Sequence, residues 1–277
     1  MPLAFVLSGG AGRGAAQAGM LRALYERGLR PDLLVGTSAG AMNAAFAATR
    51  GPTVDAAAEL ETVWRGLTRW RVFPPDPLAA GLGLLGARCH AVPSGSLRRL
   101  VTDHLEIERL EDSPVPLHVV TTDVLSGEEV LLSEGSAVDA VLASAAIPGV
   151  FAPVELNGRL LMDGGVTNNT PISHAVALGA DRVIVLPAMG AERLTRPPRG
   201  AIGATVSAMC RAIGRRLAED LERYGDLVEL TVLPSPHRCE IQPTDFSRAD
   251  ELIAEALHDA RRTLTRYRFT APQARAA

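Results

Sequence analysis

Residues Val35–Phe46 read "VGTSAGAMNAAF". A single hydroxyl, Ser38, stands between Gly36-Thr37 and Ala39-Gly40, with small or apolar residues on both sides. Two readings fit: a tight strand-to-helix turn that presents the serine as a nucleophile, or a loop that is merely glycine-rich. A bare G-x-S-x-G arises readily by chance in a chain with 26 glycines. Its surroundings have to decide.

Upstream, the apolar run Leu3–Ser8 predicts a buried strand, followed by the cluster "GGAGRG" and an amphipathic helix over Ala15–Arg27. In that helix Met20, Leu21 and Leu24 share a face, and Gly28 stands at the C-cap. A second short strand, Leu33–Val35, runs into Gly36–Gly40 and an alanine-rich helix, Ala41–Thr49. Strand–helix–strand–helix with short joints implies a parallel sheet with right-handed crossovers.

Helix resumes at Val54–Leu67, and Arg69–Gly95 is then rich in proline and glycine. Leu117–Thr122 and Glu129–Leu132 form a hairpin about "SGE", and a short helix follows at Ala137–Ser144. Two short strands about an Asn157–Gly158 turn end in Asp163-Gly164-Gly165. A strand at Arg182–Leu186, a helix at Gly203–Arg223, a strand at Val228–Leu233 and a helix at Ala249–Arg268 complete the pattern. With no repeat, low-complexity tract or linker, the expectation is one α/β domain over residues 1–277.

Composition narrows the chemistry. The formal charge of −3 gives no argument for a nucleic-acid partner. All 28 basic residues are arginine, so Schiff-base lysines, Walker-type phosphate lysines and Ser–Lys pairs are excluded. Cys89, Cys210 and Cys239 are scattered, without metal-ligand spacing, and read as reduced thiols. The N-terminal apolar run is too short for a signal peptide, and no stretch approaches the ~20 apolar residues of a membrane span. A soluble cytoplasmic protein is the expectation.

The cluster Gly9-Gly10-Ala11-Gly12-Arg13-Gly14 joins a strand to a helix N-terminus, where backbone N–H groups lack partners. A dinucleotide site would match Gly10-x-Gly12-x-x-Ala15 but wants an acidic residue at the far end of the next strand. Asp32 precedes that strand, and Ser38 stands at its far end. An oxyanion hole fits better, because consecutive turns at one carboxyl edge then supply both N–H donors and a hydroxyl. Small residues beside Ser38, Gly36 and Gly40 among them, suit a crowded turn.

A base is then needed. His90, His104, His118, His174, His237 and His258 all lie outside glycine-framed turns, and His174 is the best placed of them. Asp163 ends a strand, precedes Gly164 and Gly165, and leads into "VTNNTPI". It reads either as an accessible general base or as an ordinary turn aspartate.

Together the blocks "GGAGRGAAQAGML", "GTSAGAMNA", "TTDVLSGE", "ASAAIPGVFAPV" and "DGGVTNNTPI" resemble the patatin-like phospholipase family, over roughly Leu3–Leu186. The resemblance implies a three-layer α/β/α fold with a mainly parallel sheet and a Ser–Asp dyad without histidine. Ser38 takes the nucleophile's place and Asp163 the base's, with Gly9 to Gly14 as the oxyanion loop and no metal or cofactor. Ala11 departs from the family's third glycine. The implied reaction is acyl transfer from a lipid or fatty-acyl ester, with transient contact to a membrane surface. An unperturbed carboxylate near ~3.9 would make a weak base.

Arg69–Gly95, with Trp64, Trp70, Phe73 and the run Leu78–Gly86, is either an apolar lid or a loop covering the core. Two other functional readings stand beside the first. One is an α/β-hydrolase-like esterase with a histidine base; the other is a non-catalytic lipid- or nucleotide-binding homologue.

Overall fold

A computed structural model describes residues 1–85, 87–189, 200–235 and 244–266. Gly86, His237, Cys239 and the last two residues expected in the final helix lie outside the described residues.

Strand β1 (Leu3–Leu7) leads through a 3-10 turn (Ala11–Gly14) into α1 (Ala15–Glu26). Next come β2 (Leu33–Thr37), α2 (Ala39–Arg50), α3 (Val54–Arg65), α4 (Arg69–Val72), α5 (Pro77–Leu84) and α6 (Gly95–His104). Strand β3 (Leu117–Asp123), β4 (Glu129–Leu132), α7 (Ala137–Ser144), β5 (Val154–Leu156), β6 (Arg159–Asp163) and α8 (Ile172–Ala177) follow. The order ends with β7 (Arg182–Leu186), α9 (Gly200–Tyr224), β8 (Glu229–Val232) and α10 (Ala249–Arg266).

Among the described residues the strands form one eight-stranded sheet in the order β5-β6-β3-β2-β1-β7-β8, with β4 paired to β3. The β3–β2–β1–β7–β8 run is parallel throughout, while β4 and β6 pair antiparallel with β3. Helices cover both faces, which is why β1, β2 and β7 are buried along their whole length. The larger core lies under α1, α2, α3, α7 and α10; the smaller lies under α8 and α9. This is the expected three-layer α/β/α arrangement.

Local chemistry sets the joints. Gly28, at φ +71°, ends α1 as its N–H bonds to the Tyr25 carbonyl and the Leu29 N–H bonds to that of Leu24. Asn157 and Gly158 both adopt positive φ, as a two-residue hairpin turn requires.

Helix α1 differs from its expected amphipathic pattern. It is buried on nearly every side, because α10 covers what would otherwise be its solvent face. The alanine-rich sequence permits this close packing. The two helices are further tied by Arg261, which donates to Glu26 at 2.7 and 2.8 Å.

Candidate functional site

The serine singled out at the start caps α2 at the corner where β2 ends. Its backbone adopts φ 55° and ψ −123°, a conformation that costs a non-glycine residue on the order of 1–3 kcal/mol. The neighbouring glycines explain how this corner closes. A Cβ on Gly40 would fall 2.2 Å from the Leu7 carbonyl oxygen, and one on Gly36 would fall 2.6 Å from that of Gly40. The turn is folded against β1 and against itself, so side chains are shut out on either side of the hydroxyl.

Ser38 Oγ donates to Asp163 Oδ2 at 2.7 Å. Asp163 ends β6 opposite Thr121 of β3, and β3 lies between β6 and β2. The two side chains therefore meet across one intervening strand. The second carboxylate oxygen, Oδ1, accepts the Gly165 N–H at 2.7 Å, and the Asp163 carbonyl accepts from Thr122 Oγ1 at 3.0 Å. Gly164 packs so tightly on β3 that a Cβ would sit 2.3 Å from the Val120 carbonyl oxygen.

Asp163 is only 4% exposed. Burial pushes its carboxyl up to about 6, against the opposing pull of the Ser38 hydroxyl and the Gly165 N–H. The expectation of a weak, unperturbed base is thereby corrected, because the desolvated carboxylate holds a proton more strongly.

The glycine loop lies beside the same corner. Gly9 exchanges two hydrogen bonds with Asn169: its N–H donates to the Asn169 carbonyl at 3.1 Å, and its carbonyl accepts Asn169 Nδ2 at 3.2 Å. The Arg13 N–H donates to the Gly10 carbonyl at 3.1 Å, the first bond of the 3-10 turn. The Gly9 and Arg13 N–H groups are thus already engaged within the protein. Gly10, Ala11 and Gly12 precede that first bond, so the turn itself supplies no acceptor for their N–H groups. Ala11 adopts φ +48°, the left-handed region where a glycine would be unstrained.

Several supporting side chains gave no signal of spacing. Ser144 Oγ accepts the Ser38 N–H at 2.8 Å and donates to the Val120 carbonyl at 2.6 Å, which fixes the corner to β3. Thr37 Oγ1 donates to the Asn168 carbonyl at 2.9 Å. Asn43 Nδ2 donates to the Gly14 carbonyl at 2.9 Å and to Gln17 Oε1 at 2.7 Å, while its Oδ1 accepts Trp64 Nε1 at 2.8 Å. Gln17 Nε2 in turn donates to the Ser8 and Leu186 carbonyls, both at 2.8 Å. The one sequence signal for this network is a lone asparagine, Asn43, within the small and apolar run "GAMNAAF" of a buried helix.

Among the described histidines, His174 and His118 contact other side chains. His174 contacts Glu129, which also accepts Asn168 Nδ2 at 2.6 Å. His118 Nδ1 is hydrogen-bonded with Ser133 Oγ at 2.7 Å. His90 bridges to Gly149, His104 lies at the end of α6 and His258 on α10.

An apolar cavity of about 40 Å³ opens at Ser38 and Ala11, walled by Met42, Trp64, Phe73 and Phe151 among others. Phe246, from the C-terminal part of the chain, completes this wall and stacks on Trp64. The segment 69–95 is fastened beside the cavity at both ends. Phe73 stacks on Phe151 with centroids 5.4 Å apart, and the Ala91 and Val92 N–H groups donate to the Gly149 and Val150 carbonyls at 3.2 and 2.9 Å. Between those anchors Leu78 and Leu85 are exposed, as is Trp70.

Comparison with known proteins gives consistent matches. The family model for the patatin-like phospholipase matches residues 5–176. An uncharacterized NTE family protein of Mycobacterium tuberculosis is 33% identical over 194 residues, 69% of this chain and 50% of its own. Patatin-like phospholipase domain-containing protein 7 of Mus musculus is 31% identical over 192 residues, covering 66% of this chain and 13% of the mouse protein. The chain thus spans about half the length of the mycobacterial relative and less of the mouse one. Among solved structures, VipD from Legionella pneumophila shares the fold, with a TM-score of 0.54 and 18% identity over 96% of this chain and 67% of that one.

Proposed function

Because the chain belongs to the patatin-like phospholipase family, we propose that it is a lipid acyl hydrolase using Ser38 as nucleophile and Asp163 as base. The observation that carries this reading is the 2.7 Å hydrogen bond from the strained serine to a buried carboxylate of raised basicity. Ser38 Oγ bonds to the ester carbonyl carbon as its proton passes to Asp163 Oδ2. The charge that develops on the carbonyl oxygen is held by N–H groups of the turn's start, Gly10 to Gly12. The C–O bond to the alcohol then breaks, and the alcohol leaves with the proton from Asp163. Water attacks the acyl-enzyme, Asp163 takes its proton and returns it to Ser38 Oγ, and the fatty acid departs.

An acyl chain suits the apolar cavity at Ser38, whose burial of methylenes contributes roughly 0.8 kcal/mol each. The segment 69–95 serves as a lid in this reading. Its ends are pinned at the cavity mouth, and its exposed Trp70, Leu78 and Leu85 offer an apolar side to a lipid surface.

The test is covalent labelling. An alkyl fluorophosphonate should mark the wild-type protein and spare Ser38→Ala with its fold retained. Equal labelling of both, or none of either, overturns the reading.

A further inference from the structure

A second apolar cavity, also about 40 Å³, lies directly beyond the one at Ser38. The two follow one face of α2. Ser38, Ala39 and Met42 border the first, and Met42, Asn43 and Phe46 border the second. Positions 38, 42 and 46 recur every four residues, so they share that face, and the rise between the outer two is about 12 Å.

Four side chains, Met42, Trp64, Leu67 and Leu100, belong to both cavities and form the partition between them. Three are firmly held: Trp64, Leu67 and Leu100 are buried, and the Trp64 ring is also pinned through its Nε1 to Asn43. Met42 is only half-buried and unbranched. A methionine here can rotate aside at little cost, where a branched or aromatic residue would have to displace its neighbours. The far cavity is closed by Leu60, Val63 and Val101, and its lining is apolar apart from Asn43 and His104.

We propose that the second cavity receives the distal part of a long acyl chain whose carboxyl end lies at Ser38, and that Met42 is the gate admitting it. The chemistry favours this occupant. The two spaces adjoin at Met42 along the helix that Ser38 caps, are lined almost wholly by hydrocarbon, and each holds on the order of three water-sized groups before any side chain moves. A short acyl chain fills the first; a long one needs both. The inference rests on the acyl-hydrolase reading above, and its test separates the two.

Wild type, Met42→Ala and Val63→Trp are assayed on the 4-nitrophenyl esters of butyrate and laurate. Val63→Trp fills the far cavity from its half-buried outer wall. It should lower the laurate-to-butyrate ratio of kcat/KM by about tenfold, the effect of leaving two methylenes unburied. Met42→Ala joins the cavities and should raise that ratio. A second readout needs no turnover: laurate should raise the Tm of Ser38→Ala, and the shift should vanish when Val63→Trp is added. If folded variants leave both the ratio and the laurate shift unchanged, the cavities are packing voids and the proposal is overturned. If no ester is cleaved while the laurate shift behaves as expected, the hydrolase reading fails and the chain site stands.

Discussion

The hydroxyl of Ser38 donates to the carboxylate of Asp163 over 2.7 Å, although the two residues stand 125 positions apart. The sheet order brings them together: β2 and β6 flank β3, Ser38 directly follows the last residue of β2, and Asp163 is the last residue of β6. Burial of that corner raises the carboxyl to about 6, so under the proposed mechanism one group links activity, pH and stability.

Hydrolysis that requires ionised Asp163 should rise with pH through about 6 and level off above it. The measurement is kcat/KM on a short-chain ester across the range in which the fold is intact. A profile flat between about pH 5 and pH 8 would remove Asp163 from the base's role.

The same carboxyl should weaken the fold when it ionises. Its ordinary value is 3.8 and its folded value about 6, so between them the unfolded chain loses the proton while the folded chain keeps it. Stability therefore falls as pH rises through that window, by about 3 kcal/mol at most. Asp163→Asn should be inactive yet more stable than wild type at pH 8, with the advantage gone below about pH 4. Denaturant unfolding of both proteins at the two pH values checks the sign.

Ser144→Ala strips the Ser38 N–H of its acceptor and the Val120 carbonyl of its donor. Two buried groups left unsatisfied should cost about 1–3 kcal/mol each. The corner would loosen, so kcat should drop while KM changes little. Steady-state kinetics with a folding check by circular dichroism separates positioning from simple unfolding.

Gly40→Ala tests the crowding at the corner. Its Cβ would meet the Leu7 carbonyl oxygen at 2.2 Å, so β1 and α2 must separate. A loss of at least about 2 kcal/mol in stability is expected, together with loss of activity. An alanine variant with wild-type Tm would show that the turn has slack.

Replacing Leu78–Leu85 by a short glycine–serine linker should abolish hydrolysis of long-chain esters and spare short-chain ones. The anchors at Phe73 and Val92 remain in that variant, so the cavity wall stays in place. Loss of both activities together would show that the segment holds up the core instead of covering the cavity.

Much of this was legible in the order of residues, because local rules govern it. Alternating apolar runs and turn chemistry located most strands and helices to within a few positions. The glycines around Ser38 and after Asp163 marked both residues because only a crowded backbone excludes side chains so consistently. What stayed illegible depends on distance in space. Carboxyl basicity follows from burial, and burial is a property of every element packed around Asp163. Which loop N–H groups are spent follows from Asn169, a residue 160 positions from Gly9. The closing of the cavity by Phe246, and the alignment of two voids along α2, arise where segments with no local relationship pack against one another. Nearest neighbours in the chain carry turn and helix preferences, whereas desolvation and cavity shape are set by contacts that exist only once the sheet has assembled.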